Sequence, residues 1–126
     1  MGKTLPDPVL RARQARDRGQ RAEDMACHWL IQKGLVLLAR NCRFRGGEID
    51  LVMREHNTLV FVEVRYRSSQ SFGGASASVD RRKQARIRHA AHCFLQDQFG
   101  NLLWPLYRFD LVLIEAGKLS WIPAAF

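Results

Sequence analysis

Gly47 to Arg67 reads GEIDLVMRE-HN-TLVFVEVRYR: two runs rich in Val, Ile, Leu and Phe flank His56-Asn57, with polar residues at alternate positions. The pattern predicts a β-hairpin, although the turn lacks the usual glycine. With a two-residue loop, or a four-residue loop of the same centre, Asp50 faces Glu63 and Glu48 faces Arg65. Directly opposed side chains lie roughly 5 Å apart on one face of the sheet. One face then carries Glu48, Asp50, Val52, Phe61, Glu63 and Arg65, and the other is apolar, with Ile49, Leu51, Met53, Val60, Val62 and Val64. A one-residue slip would turn every one of these side chains over, so the hairpin constrains the fold more than any other stretch.

Two carboxylates held side by side repel, and each resists losing its hydration. A divalent cation removes the conflict, because Mg²⁺ takes oxygen from one or two carboxylates and completes its shell with water and phosphate. A solvated face, with the acids paired off by Arg65 or Arg43, is the alternative.

At 126 residues the chain is long enough for one domain with a proper core. Twenty Lys and Arg stand against twelve acids, a net charge of +8 and a pI near 10.3. Such a field favours a polyanion, most simply DNA or RNA, and arginine suits phosphate through its bidentate fork. A membrane surface or an acidic protein partner would also answer to that charge. No apolar run approaches the roughly 20 residues of a membrane span, and the N-terminus has no apolar segment of a secretory signal. Cys27, Cys42 and Cys93 are isolated and odd in number, and the four histidines show no zinc-ligand spacing with them. A reducing, cytoplasmic compartment is expected.

Residues 1–18, with Pro6, Pro8 and four arginines, read as a flexible basic arm, and 19–126 as a single domain. From Gly19 to Lys33, Ala22, Met25, Ala26, Trp29 and Leu30 recur at helical spacing, with Gly34 placed to stop the helix. Glu23 lies on the edge of that stripe, where it can reach a site on the sheet or simply face solvent. Leu35–Phe44 reads as a strand joined to the hairpin by Arg45-Gly46-Gly47, so the three strands should form an antiparallel meander. The Ser/Gly-rich stretch 68–78 follows, with Phe72 as an anchor or a stacking surface and Gly73-Gly74 as a phosphate approach or a hinge. Ser78 or Asp80 should cap a second helix running to about Gln98, buried along Ile87, Ala90, Ala91, Phe94 and Leu95. Its first turns are strongly basic, which opposes the helix dipole unless an external anion lies there. Tyr107–Ile114 reads as an interior strand, apolar on both faces, and Lys118–Ile122 as the last strand. Trp121 is expected in the core, and Asp110 has no assigned role.

The element order α, β, β, β, α, β, β, with Glu23, Asp50 and Glu63 on the first helix and the second and third strands, resembles the PD-(D/E)XK nuclease superfamily. The wording GxxAE, RGGEIDLV, LVFVEVR, FGG and RFDLV, over residues 19–126, is similar to the small bacterial YraN-type family, itself regarded as nuclease-like and similar to archaeal Holliday junction resolvases. The resemblance implies an α/β (α+β), restriction-endonuclease-like αβββαβ core, with a mixed sheet of about five strands flanked by helices. It also implies metal-dependent phosphodiester hydrolysis, use of Mg²⁺ or Mn²⁺, and a homodimer acting on DNA. Asp50, Glu63 and the main-chain carbonyl of Val64 would hold the metal, with Glu23 as an outer ligand or water-positioning acid. Arg65 stands where the superfamily motif has lysine, and arginine cannot lose its proton to act as a base. Arg43, Arg45, Arg81, Arg82, Lys83 and Gln84 are the candidates for contact with nucleic acid. A relative that binds DNA or RNA without cutting it, and a protein-binding adaptor, are the competing functions.

Overall fold

A computed structural model describes residues 7–67 and 79–126. The stretch 68–78, and with it the expectations for Phe72, Gly73, Gly74 and Ser78, lies outside the described residues. Helix α1 (Pro8–Gln32) is followed by strands β1 (Val36–Phe44), β2 (Gly47–Glu55) and β3 (Thr58–Arg67), helix α2 (Arg81–Phe99), and strands β4 (Leu106–Glu115) and β5 (Lys118–Ile122). The sheet order is β1-β2-β3-β4-β5, parallel only between β3 and β4 and antiparallel elsewhere. This is the mixed five-stranded α/β architecture expected, with β1–β3 as the meander and β4 as an interior strand.

The helices take opposite faces. Ala22, Ala26, Cys27 and Leu30 of α1 pack on Leu51, Met53, Val60, Val62, Val112 and Ile114. Ile87, Ala90, Ala91, Phe94 and Leu95 of α2 pack on Ile49, Val52, Phe61, Phe109 and Leu111. The middle of the hairpin is therefore buried on both sides, and Ile49, expected on the apolar face with Leu51 and Met53, packs instead on the α2 side with Val52 and Phe61. Met25, which helical spacing puts in the buried stripe, is 44% exposed.

α1 begins eleven residues before the expected Gly19, so residues 8–18 are its exposed first turns rather than an arm. The Asp7 carboxylate accepts the Val9 N–H at 2.8 Å, and Pro8 at the first helical position is pre-set for the helix and lacks a hydrogen that would go unpaired there. α2 starts the same way, Asp80 accepting the Lys83 N–H at 2.8 Å.

Two local devices set the frame of the site. Gly47 opens β2 flat against α2, where an added Cβ would run into the Arg86 carbonyl oxygen and press on the Ala90 side chain. Backbone cannot swing aside as a side chain can, so Gly47→Ala should destabilise at the upper end of the roughly 1–3 kcal/mol typical of overpacking. An unchanged melting temperature would show that β2 is not wedged there. At the other side Asp110 is fully buried. It accepts two hydrogen bonds from Arg108 at 2.9 and 3.1 Å, one from the Trp121 indole at 2.9 Å and one from the Ala124 N–H at 2.9 Å. Its role is to pin β5 and the C-terminal residues to β4, a buried charge satisfied on both oxygens.

Candidate active site

The hairpin register is the expected one from Glu55–Thr58 to Leu51–Val62. The paired ladder stops there, one step short of Asp50 and Glu63. Ile49 packs under α2 whereas Leu51 packs under α1, so strand alternation breaks at Asp50. On the neighbouring strand Asn41 takes a positive φ of 52°, and it is skipped in the pairing between Arg40–Leu51 and Cys42–Ile49. Asp50 is re-aimed across the gap, its Oδ2 accepting the Val64 N–H at 2.9 Å. The expected facing of Glu48 and Arg65 goes with the ladder, and Glu48 instead meets Arg43 of β1 at 3.4 Å.

Glu63 is only 7% exposed. Burial first, then a hydrogen bond with Asp50 and the Asp50 charge, push its carboxyl up to about 8 against a pull downward from Lys83. The Lys83 Nζ, from the first turn of α2, lies 3.3 Å from Glu63 Oε2. Glu23 reaches in from α1 with a side chain 16% exposed. Burial and the Asp50 charge raise it to about 7, offset by Arg40 and by a hydrogen bond with Asn41. Glu23 Oε1 is buried with no hydrogen-bond partner. Arg40 stands 3.8 Å from it but directs its contact to Asp24, at 2.6 Å.

These groups line one open cleft of about 340 Å³: Glu23, Asp50, Glu63, Val64, Arg65 and Lys83 all face it. The structure thus brings together every sequence candidate for catalysis or metal binding. Of the other candidates, Arg43 is tied to Glu48, Arg45 is exposed in the β1–β2 turn, and Arg81 and Arg82 are exposed at the start of α2. Gln84 donates to the Val79 carbonyl at 2.6 Å and steadies the entry to α2 rather than lining the cleft. The sequence points to Lys83 only as a phosphate contact; its meeting with Glu63 depends on how α2 docks, for which a strand pattern carries no signal.

A hard dication suits this donor set. Glu23 Oε1 is buried without a hydrogen bond, and Asp50 lies close enough to Glu63 to help raise its carboxyl, an arrangement that a cation would relieve. Among the described residues no three His, Cys, Asp or Glu side chains close up as a ready metal cage. Asp50 and Glu63 are the two carboxylates on the cleft that would hold such an ion, with water and substrate oxygen completing its shell.

A family model described as "Uncharacterised protein family UPF0102" matches residues 22–114, a span that contains every residue of the cleft named above. The chain belongs to the UPF0102 family. A UPF0102 protein of Herminiimonas arsenicoxydans is 48% identical over 122 residues, covering 96% of this chain and 96% of that one. UPF0102 proteins of Bordetella petrii and Serratia proteamaculans are 48% and 49% identical, covering 96% and 82% of this chain and 76% and 89% of theirs. Among the described residues of this UPF0102 chain, no helix is long and apolar enough to cross a membrane.

The acids of the UPF0102 cleft tie stability to pH. Glu63 at about 8 lies above its ordinary 4.5, so the folded state holds the proton more tightly. That contribution is complete below about 4.5, diminishes as pH rises, and is gone above about 8. Metal-free protein should lose stability across this window relative to Glu63→Gln, which carries no such charge. A Mg²⁺ ion held by Asp50 and Glu63 would bind the ionised form, and would then raise the melting temperature of the wild type more at pH 8 than at pH 6, and that of Glu63→Gln little at either. Calorimetry of both proteins checks this; parallel stability–pH curves would remove the buried acid from the account.

Proposed function

We propose that this protein is a metal-dependent nuclease that hydrolyses phosphodiester bonds in DNA, working in the reducing cytoplasm. The observation that carries the reading is the pair Asp50 and Glu63, two strand carboxylates driven together in a cleft with Lys83 on the second oxygen of Glu63. Folding alone gains nothing from such a pair, and a strongly perturbed acid in a cleft is a functional-site signal. The net charge of +8 and the exposed Arg81 and Arg82 at the start of α2 support a polyanionic substrate. The three cysteines are free, in keeping with a reducing compartment.

In this reading Asp50 and Glu63 hold Mg²⁺ or Mn²⁺, which when bound supplies Lewis-acid stabilisation of charge on the phosphate and lowers the pKa of a bound water. The Val64 N–H fixes the orientation of Asp50, leaving its other oxygen for the ion. Glu23, raised to about 7, can accept a proton from water at neutral pH without being permanently charged. Lys83 supplies the amine that the E-x-K motif has at the position of Arg65, and Arg65 on the cleft wall holds phosphate.

Arg65 in place of lysine favours one second reading, a protein that binds DNA without cutting it. Linear, flapped and four-way DNA, with an RNA control, incubated with Mg²⁺ or Mn²⁺ separates the two. Metal-dependent cleavage is expected on at least one DNA. No cleavage by the wild type on any substrate would leave binding as the function.

A further inference from the structure

Beside the carboxylate cleft, and sharing Ala22 and Tyr66 with it, lies a second pocket of about 290 Å³ lined also by Arg18, Arg21 and Met25. It sits between the middle turns of α1 and the end of β3. Tyr66 is 47% exposed and Met25 is 44% exposed. Ala22, the α1 residue that shares the pocket with the ring, is small, and Tyr66 keeps nearly half its surface exposed. The arginines occupy the same ridge of α1, three residues apart, and the Arg21 side chain is steadied by a hydrogen bond to the Asp17 carbonyl at 3.3 Å. Among the described residues no carboxylate lines this pocket. Single exposed apolar side chains are ordinary. A half-exposed aromatic ring and a thioether beside two arginines, in a pocket that shares two residues with the acid cleft, form a surface with a chemistry of its own.

We propose that this pocket is a subsite for one unpaired nucleotide of the strand entering the cleft, with its base stacked on Tyr66 against Met25 and its phosphate held by Arg18 and Arg21. Stacking on an aromatic ring needs a base out of its duplex stack, and every base has a face to offer, so such a platform selects unpaired strand without selecting sequence. Guanidinium groups take the phosphate bidentately. The inference rests on the reading that the cleft works on nucleic acid and deepens it: the substrate is single-stranded on one side of the scissile phosphate, as in a flap or an overhang.

The test uses the full-length protein with EDTA present, so that binding is read without cleavage. Affinity for a single-stranded oligonucleotide carrying 2-aminopurine, and for a blunt duplex of the same sequence, is measured by anisotropy, with quenching of the 2-aminopurine as the stacking signal. The wild type should prefer the single strand and quench it. Tyr66→Ala should lose about tenfold or more in single-strand affinity together with the quenching, keep its duplex affinity, and be restored by Tyr66→Phe. Arg18→Ala combined with Arg21→Ala should weaken single-strand binding and flatten its salt dependence by up to about 0.7 for each phosphate no longer neutralised. Equal affinity for both DNAs, or a Tyr66→Ala protein that melts like the wild type and binds single strands as well, would overturn the subsite. Cleavage with Mg²⁺ is assayed in parallel. Cleavage indifferent to Tyr66 sinks the subsite and leaves the nuclease, whereas Tyr66-dependent strand binding without cleavage on any DNA sinks the nuclease and leaves the subsite.

Discussion

Asp50→Asn should abolish metal-dependent cleavage while leaving the protein folded. Asparagine keeps a carbonyl oxygen that can accept the Val64 N–H, which the wild type gives to Asp50 Oδ2 at 2.9 Å, so the local backbone has its partner. What goes is the negative charge that, in the proposed nuclease, would hold the cation against Glu63. A bound metal stabilises developing charge by several kcal/mol; at about 1.36 kcal/mol per decade, cleavage should fall about a thousandfold. Removing the charge also relieves Glu63, so Asp50→Asn should be at least as stable as the wild type without metal and should gain little when Mg²⁺ is added. The measurement is cleavage rate beside thermal melting, with and without the ion. Cleavage that survives at the wild-type rate would identify a contaminating enzyme or a site elsewhere.

Lys83→Ala should lose more activity than any substitution of Arg65. The Lys83 Nζ lies 3.3 Å from Glu63 Oε2, whereas Arg65 occupies the strand position of the motif lysine. If the amine is what the chemistry requires, α2 supplies it. Loss of one preorganised charge donor in such a site costs about 10²–10³ in rate. Arg65→Lys, which keeps a phosphate-binding cation on the cleft wall, should stay within about tenfold. Lys83→Ala also takes away the positive charge that pulls Glu63 down, so the pH at which activity rises should move upward, a change that a purely structural role would not produce. Metal affinity and pH–rate profiles for both variants read this directly. Should Arg65→Ala prove inactive and Lys83→Ala active, the strand cation is the working one, as the motif position implies.

Much of the frame is legible in the sequence because period and parity are local properties. Alternation over Gly47–Arg67 sets the hairpin and leaves Asp50 and Glu63 side by side just past the end of its ladder, and helical spacing sets the buried stripe of α2. The start of α1 is not legible in the same way, because Pro8 reads as a breaker until the Asp7 cap is seen beside it. Met25 escapes the core because spacing locates a stripe but not the width the sheet can cover. The polar face expected of the hairpin fails for a similar reason: a strand pattern does not say that a second helix will bury the side carrying Val52 and Phe61.

By itself, then, the order of residues determined the elements, their antiparallel register through Leu51–Val62, and the meeting of two acids at the end of that ladder, since each follows from contacts between near neighbours in the chain. Only the tertiary structure decided what those acids meet. Glu23 arrives from α1 and Lys83 from α2, across distances along the chain where no periodicity carries information. The break of alternation that aims Asp50 at the Val64 N–H belongs to the same class. The packing of the two helices on opposite faces, which no strand pattern encodes, is what gathers these side chains around one cleft.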